Sequence, residues 1–181
     1  MFDETLLIWK LNLGRRDVLP AIYERYKDDL VTLATALLYD KSAAEDVVHD
    51  VFAGFIASAP RFRLTGSLKG YLSVCVANGA RNWNKAQRRH RAAATVDPEP
   101  TAPSRCRPDR AALFSEDLKN LAAALAGLPF EQREVVLLHL YSGVKFRAIA
   151  ETQGVSINTV QGRYRYGLDK LRTMLNGEVS Q

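Results

Sequence analysis

Apolar residues recur every three or four positions along most of the chain, which is the spacing of helices that bury one face. The pattern predicts long amphipathic helices over residues 17–39, 43–59 and 67–91, and further helices from residue 111 onward. Asp17 and Ser67 can cap the first and third of these helices. No stretch alternates apolar and polar residues in the manner of a strand, and no segment repeats. The chain is therefore predicted to be all-α.

The middle of the chain interrupts this pattern. Residues 92–110 have no apolar periodicity and contain four of the seven prolines, a composition typical of a flexible linker. The 181 residues suffice for a small domain on each side. The predicted organisation is an N-terminal extension at 1–16, a first helical domain at 17–91, the linker at 92–110, a second helical domain at 111–176 and a tail at 177–181.

Two short helices joined by a tight turn are predicted between residues 145 and 175. Gly154 suits the turn, and Ser156 can cap the second helix. That helix carries amides, hydroxyls and guanidinium groups beside its apolar stripe, as in a helix that reads the DNA major groove. An ordinary helical hairpin with a solvated polar face is the alternative. Gln153 argues against DNA reading, because an aliphatic residue normally closes the angle between such helices.

Acidic side chains gather on the outer face of the helix predicted at residues 43–59. They are Glu45, Asp46 and Asp50, and His49 lies among them. The whole chain is basic, with a net charge of +5 and a pI near 9.3. An acidic surface on a basic protein favours a separate basic partner, although a merely solvated face fits the sequence equally well.

Basic residues gather at the end of the helix predicted at residues 67–91. The cluster lies near asparagine and tryptophan side chains, and a loop of interleaved basic and aromatic residues, Arg61–Gly66, precedes the helix. This combination is typical of a surface that follows phosphates and stacks on bases. A solvated helix end, favoured by the helix dipole, is the alternative.

Several function classes are excluded by what the sequence lacks. It contains no phosphate-binding glycine loop and no hydrolase, metalloprotease or calcium motif, so we expect neither an enzyme nor a cofactor. The two cysteines have no CxxC spacing, and the three histidines are scattered, so a metal site or disulfide is not expected. No apolar run is long enough to cross a membrane and no signal peptide is evident, which predicts a cytoplasmic protein without membrane insertion.

With these residues in view, the chain resembles the extracytoplasmic-function class of bacterial sigma factors, the small two-domain initiation subunits of RNA polymerase. The resemblance covers about residues 17–91 and 113–175. Its most specific parts are AEDVVHDVF at Ala44–Phe52 and LPFEQREVVLLHLYSGVKFRAIAETQGVSINTV at Leu128–Val160. The order of the two motifs, with a proline-rich linker between them, adds to their specificity.

The resemblance implies three binding surfaces. The acidic face, Glu45, Asp46, His49 and Asp50, would bind the clamp helices of the large subunit of core RNA polymerase. The minus-ten element and its single non-template strand would be bound by Arg61, Phe62, Arg63, Lys69, Tyr71, Asn78, Arg81, Asn82, Trp83, Lys85, Arg88 and Arg89. Duplex DNA of the minus-thirty-five element would be bound by Ser156, Asn158, Thr159, Gln161, Gly162, Arg163 and Arg165.

The chain also departs from the family pattern. His49 replaces a usual Gln, Asn82 replaces a usual Asp, and Gln161–Gly162 replaces a basic residue followed by Ser. Val74 and Ala77 stand where Arg is common. These departures concern the promoter sequence rather than the fold.

The family further implies an anti-sigma factor that clasps the two domains. Two other functions are compatible with parts of the sequence. A stand-alone helix-turn-helix regulator would bind duplex DNA as a dimer without polymerase, and a scaffold would act through protein contacts alone. Residues 44–91 discriminate, because a repressor has no use for an acidic face followed by a helix that binds single strands.

Overall fold

The computed structural model describes residues 4–59, 63–64, 66–93 and 116–178. The helices are α1 (Glu4–Asn12), α2 (Leu19–Leu38), α3 (Lys41–Ser58), α4 (Leu68–Ala93), α5 (Glu116–Ala126), α6 (Phe130–Val136), α7 (Phe146–Gln153) and α8 (Ile157–Glu178). A π-helical turn, Leu137–Tyr141, continues α6. The described residues contain no strand, which confirms the all-α prediction. Helices α1–α4 form an N-terminal unit, and α5–α8 form a C-terminal unit.

The core of the N-terminal unit lies where the apolar stripes of α2, α3 and α4 meet. The residues that share it include Ile22, Leu30, Leu33, Leu37, Val48, Phe52, Leu72 and Val76. Helices α3 and α4 approach closely at Gly79, where an added Cβ would lie 2.7 Å from Val47 Cγ1. Glycine is therefore required for this approach, because any side chain would push the helices apart.

The connection between α2 and α3 is a tight corner. Tyr39 ends α2 in the left-handed conformation, at φ 55°. The carboxylate of Asp40 then accepts a hydrogen bond from Ala43 N at 3.0 Å and so caps α3. Asp40 satisfies one of the amides that the start of a helix leaves unpaired.

The start of α2 differs from the sequence prediction. Asp17 is a plausible N-cap in the sequence, but α2 begins at Leu19 and Val18 is its N-cap residue, without a side-chain bond. Arg15 engages Asp17 instead through two hydrogen bonds of 3.0 and 2.9 Å. Helix α2 thus begins without a side-chain cap.

The N-terminal extension is a helix that docks on the start of α4. Leu7 and Leu11 are buried. The Glu4 carboxylate accepts a hydrogen bond from Leu68 N at 3.0 Å, and Ser67 Oγ accepts one from Gly70 N at 3.2 Å. Ser67 therefore caps α4, as its position in the sequence predicts. The acidic side chain of Glu4 also stabilises the positive end of the α4 dipole.

The two units share one hydrophobic cluster. Val135, Leu138, Ile149 and Val160 of the C-terminal unit belong to the same buried cluster as the stripes of α2–α4. A second, smaller cluster lies among α5, α6 and α8. The predicted linker overlaps α4 at its first two residues, and the rest of it lies outside the described residues.

Candidate polymerase and nucleic-acid interfaces

Helices α7 and α8 form the predicted helix-turn-helix. Gly154 ends α7 in the left-handed conformation at φ 65°, and Ser156 Oγ accepts a hydrogen bond from Thr159 N at 3.1 Å. Ile149, Ala150 and Val160 are buried where the helices cross. The predicted turn glycine and the predicted cap are both confirmed.

The residues predicted to read the minus-thirty-five element lie at the start of α8. The exposed members are Ser156, Asn158, Thr159, Gln161 and Arg165. Gly162 and Arg163 are half-buried. Five polar residues are thus exposed at the start of α8, whereas Arg163 has partners inside the protein.

Arg163 is held inside the C-terminal unit by a chain of polar contacts. Its Nη1 donates to Gln153 Oε1 at 2.7 Å, and Gln153 Nε2 donates to Glu134 Oε2 at 2.9 Å. The Glu134 side chain is only 1% exposed. Gln153 thus replaces the usual aliphatic residue because a buried carboxylate and a guanidinium require a group that both donates and accepts.

Glu134 is the central member of this chain. Its other oxygen accepts a hydrogen bond from Arg81 Nη2, which comes from α4 in the N-terminal unit. Burial raises the pKa of the Glu134 carboxyl, while Arg81 and Arg163 act in the opposite direction. Burial is the larger effect on this pKa. The two arginines therefore do not fully offset the cost of burying the negative charge of Glu134.

The acidic face is fully presented on α3. Glu45, Asp46, His49 and Asp50 are all exposed, while Val47 and Val48 on the opposite side are buried. Glu45 contacts Lys41 at 3.3 Å, but both side chains are more than half exposed, so this pair holds Glu45 only weakly. The structure therefore brings the four predicted residues together on one open surface.

The predicted minus-ten residues divide into two groups. Arg61 and Phe62 lie outside the described residues. Asn82, Lys85, Arg88 and Arg89 are exposed along the second half of α4, and Arg63 is exposed before it. The four side chains of α4 recur at steps of three and four residues, so they form one exposed and mainly basic strip.

The other minus-ten residues are engaged within the protein. Tyr71 is half-buried, and the centre of its ring lies 6.3 Å from the centre of the Phe55 ring. Burial raises the pKa of the Tyr71 hydroxyl to about 12. Trp83 packs against the core. The remaining three have polar partners: Lys69 Nζ lies 2.7 Å from Asp29 Oδ2, and Arg81 Nη1 donates to Asn78 Oδ1 at 3.0 Å.

Sequence reasoning missed two buried charged residues, Arg133 and Glu134. Both lie beside the apolar run Val135–Leu138 of a helix covered on several sides. Arg133 Nη2 donates to the Leu37 carbonyl at 2.9 Å, and its guanidinium lies 4.6 Å from the centre of the Tyr39 ring. Their partners are distant in sequence, so no local pattern marks these residues as buried.

Within the ranges that the structure describes, no group of three or more His, Cys, Asp or Glu side chains could hold a metal ion. The same residues include no helix that is long and apolar enough to span a membrane. Cys75 is half-buried among apolar residues, and burial raises the pKa of its thiol, as expected for a packing residue.

Comparison with known families matches both units. The sigma-70 region 2 family matches residues 22–90, and the sigma-70 region 4 family matches residues 118–171. These matches cover the acidic face, α4 and the helix-turn-helix. The first match also covers the part of the chain that a stand-alone DNA-binding regulator would not need.

Individual relatives point to one class of sigma factor. The chain is 26% identical over 155 residues to the ECF RNA polymerase sigma factor SigX of Bacillus subtilis, covering 83% of this chain and 80% of SigX. It is 26% identical over 166 residues to the RNA polymerase sigma factor CarQ of Myxococcus xanthus, covering 92% and 93% of the two chains. The chain belongs to the extracytoplasmic-function class of RNA polymerase sigma factors. It is a polymerase-binding transcription initiation factor, and its family consists of initiation factors rather than enzymes.

Solved structures agree with this fold. The sigma factor RpoE of Bartonella quintana, in complex with the anti-sigma factor NepR, superposes with a TM-score of 0.62 at 26% identity, covering 88% of this chain and 92% of RpoE. CnrH, in complex with the cytosolic domain of CnrY, superposes with a TM-score of 0.65 at 20% identity, covering 96% and 97% of the two chains. At that identity the likeness to CnrH concerns the fold alone.

Gly162 allows a test of packing along α8. A Cβ added there would meet no heavy atom within 4 Å, so Gly162→Ala is expected to stabilise the protein by about 1 kcal/mol through helix propensity. Gly167→Ala in the same helix is the matched control, because its Cβ would lie 2.9 Å from Val136 Cγ2. Urea unfolding should show stabilisation only for Gly162→Ala. Equal effects of the two changes would contradict this difference in packing.

Proposed function

We propose that this sigma factor recognises a bipartite promoter with its two units and helps to open it while bound to core polymerase in the cytoplasm. The observation that carries the proposal is the arrangement on α3 and α4, where an exposed acidic face and an exposed basic strip belong to adjacent helices of one unit. A protein that bound DNA alone would not need the acidic face.

The acidic face is proposed to bind the clamp helices of the polymerase large subunit. Asp46 and Asp50 lie one helical turn apart, so their carboxylates point to the same side of α3. Exposed carboxylates attract a basic partner and accelerate encounter with it. The buried residues between them keep this surface on a rigid helix.

The basic strip of α4 is proposed to hold the single non-template strand of the minus-ten element. Lys85, Arg88 and Arg89 supply positive charge along the strand, and Asn82 supplies an amide for base edges. Opening the duplex then requires binding energy alone, because unstacking a base costs only a few kcal/mol. No catalytic side chain is needed for this step.

The start of α8 is proposed to read the minus-thirty-five element as duplex DNA. Gln161 and Arg165 are exposed at positions where an amide and a guanidinium can reach base edges. The contacts of Arg163 with Gln153 give it a role in holding α8 on α7 in addition to any contact with phosphate.

An anti-sigma factor is proposed as the regulatory partner. RpoE of Bartonella quintana, which is similar to this chain over most of its length, was solved with such a factor. The exposed leucines Leu118 and Leu121 of α5 offer one apolar surface to a partner of that kind.

Run-off transcription tests the proposal. Bacterial core RNA polymerase is supplied with a library of promoter fragments, with and without this protein. Specific transcripts are expected only with the protein, and Arg165→Ala should reduce them by about tenfold or more through loss of a base contact. Arg172→Ala is the matched control, because Arg172 is exposed further along α8. Duplex binding without any polymerase binding would contradict the proposal.

A further inference from the structure

Helix α1 lies outside the part of the chain that the region 2 family matches, because that match begins at residue 22. Leu7 and Leu11 on its inner face are buried in the core of the N-terminal unit. The polar side chains at its two ends, Glu4 and Asn12, bond in addition to backbone groups at the entrance to α4. Helix α1 therefore holds the segment that leads into α4 as well as contributing to the core.

Asn12 holds the backbone of Leu64. Its side-chain amide donates from Nδ2 to the Leu64 carbonyl and accepts at Oδ1 from Leu64 N, both at 2.9 Å. One side chain thus pairs both backbone polar groups of a residue 52 positions away. The side chain of Leu64 also packs against the core. The backbone of Leu64 is consequently held in one position relative to α1.

Glu4 holds the start of α4 at a second point. Its Oε1 accepts hydrogen bonds from Leu68 N at 3.0 Å and from Ser67 Oγ at 3.3 Å. A carboxylate is also favoured at this end of a helix, because the helix dipole is positive there. The segment that enters α4 is therefore attached to α1 at both Leu64 and Leu68.

These bonds exceed what the packing of α1 on the unit requires. Leu7 and Leu11 already supply buried apolar contact. An apolar side chain at position 12 could add to that contact, whereas only a side chain that both donates and accepts can pair with the N–H and the carbonyl of one residue. The amide at Asn12 thus serves the position of Leu64 rather than the burial of α1.

Arg63 is the residue that this arrangement would position. It directly precedes Leu64, it is exposed, and it is among the residues predicted to bind the non-template strand. Neighbouring Cα atoms are about 3.8 Å apart, so a fixed Leu64 backbone confines the point from which the Arg63 side chain extends. A guanidinium on a confined backbone loses less conformational freedom when it binds a phosphate, which raises its contribution to affinity.

We propose that α1 positions Arg63 for the single non-template strand, with Asn12 and Glu4 as positioning residues that act through Leu64 and Leu68. This inference rests on the proposed binding of single strands by the N-terminal unit. Neither positioning residue contacts the strand itself. Their loss should therefore weaken strand binding only as far as Arg63 contributes to it.

The first test is a double-mutant cycle on the full chain bound to core polymerase, titrated with fluorescein-labelled oligo(dT) at fixed salt, with core polymerase alone as the background. Asn12→Ala is expected to weaken binding about fivefold and Arg63→Ala about tenfold. The double variant should bind no more weakly than Arg63→Ala, because the position of an absent side chain has no consequence. Losses that multiply would overturn the inference, since the two residues would then act independently.

Ile22→Val is the control for stability. It removes one methylene from the buried core of the same unit and has no part in the bonds to Leu64 or Leu68, so strand affinity should stay within about twofold. Hydrogen exchange of the Leu64 amide should be faster in Asn12→Ala than in Ile22→Val. Equal losses of affinity in these two variants would overturn the inference, because affinity would then follow stability alone.

Glu4 supplies a second pair of variants for the case in which Asn12→Ala does not fold. Glu4→Gln and Glu4→Ala remove the same charge, but the glutamine oxygen can still accept from Leu68 N. Glu4→Ala should therefore bind oligo(dT) a few-fold more weakly than Glu4→Gln. Equal affinities of this pair, or an Arg63→Ala variant that binds as tightly as the wild type, would overturn the inference.

Run-off transcription separates the failure of this inference from the failure of the proposed function. Transcripts that still require the protein would leave the proposed function standing when the double-mutant cycle overturns the role of α1. Absence of both protein-dependent transcription and strand binding would refute the proposed function and the inference with it.

Discussion

Reversing both charges in the variant Asp46→Arg/Asp50→Arg is expected to weaken binding to core RNA polymerase by about 100-fold. Both side chains are exposed on α3, and neither forms a hydrogen bond or an ion pair with the described residues. Replacing attraction by like-charge repulsion at an interface costs several kcal/mol, and each 1.4 kcal/mol changes affinity tenfold. The fold should be unaffected, because neither side chain is part of the core.

The matched control is Glu24→Arg/Asp28→Arg. These two acidic residues have the same spacing, are exposed on α2 of the same unit, and lie outside the proposed polymerase surface. The two double variants change the net charge equally. Competition binding to core polymerase at two salt concentrations should therefore show a large loss for the α3 variant only. Similar losses for both would mean that total charge governs the association rather than the acidic face.

Replacing Arg133 by alanine is expected to lower the free energy of unfolding by about 3 kcal/mol. The Arg133 side chain is buried and donates to the Leu37 carbonyl at the end of α2 at 2.9 Å. It also lies over the Tyr39 ring, where a cation adds a further attraction. Burial lowers the pKa of the guanidinium, so part of this attraction is offset by lost hydration.

Two other substitutions define the origin of that loss. Arg133→Met keeps much of the volume without a charge, so it should cost less than Arg133→Ala. Arg147→Ala removes an arginine whose side chain is 85% exposed and whose partner Glu151 is also exposed, so it should change stability little. Urea unfolding followed by circular dichroism gives all three values. A loss for Arg147→Ala as large as that for Arg133→Ala would contradict the role assigned to the buried guanidinium.

Local features of the fold could be predicted from the sequence because they depend on neighbouring residues. The amphipathic stripes indicate the helices, Gly154 and Ser156 indicate the turn and cap, and Ser67 indicates the start of α4. The prediction of Asp17 as the N-cap of α2 is wrong. Its carboxylate pairs with a nearby arginine, and no sequence rule says whether such a residue pairs or caps. The acidic face follows directly from helical periodicity and is exposed as predicted.

The contacts between the two units could not be predicted in this way. Arg81 and Glu134 are 53 positions apart, and Arg133 and Leu37 are 96 apart. Glu131 and Glu134 lie three residues apart on α6, so helical periodicity gives them similar positions. Glu131 is nevertheless exposed and Glu134 is buried, because α6 is covered on more than one side. The role of Gln153 could not be predicted for the same reason. An aliphatic residue is usual at this position of a helix-turn-helix, but the Gln153 amide is required here by a carboxylate 19 positions away.

The absence of a side chain at Gly79 sets the spacing between α3, which carries the acidic face, and α4, which carries the basic strip. A Cβ at this position would lie 2.7 Å from Val47 Cγ1, so the two helices pass closer here than a larger residue would allow. Under the proposed function, a polymerase bound to the acidic face of α3 would therefore determine where the basic strip of α4 lies along the nucleic acid. The close approach of the two helices would then fix the distance between the promoter and the enzyme.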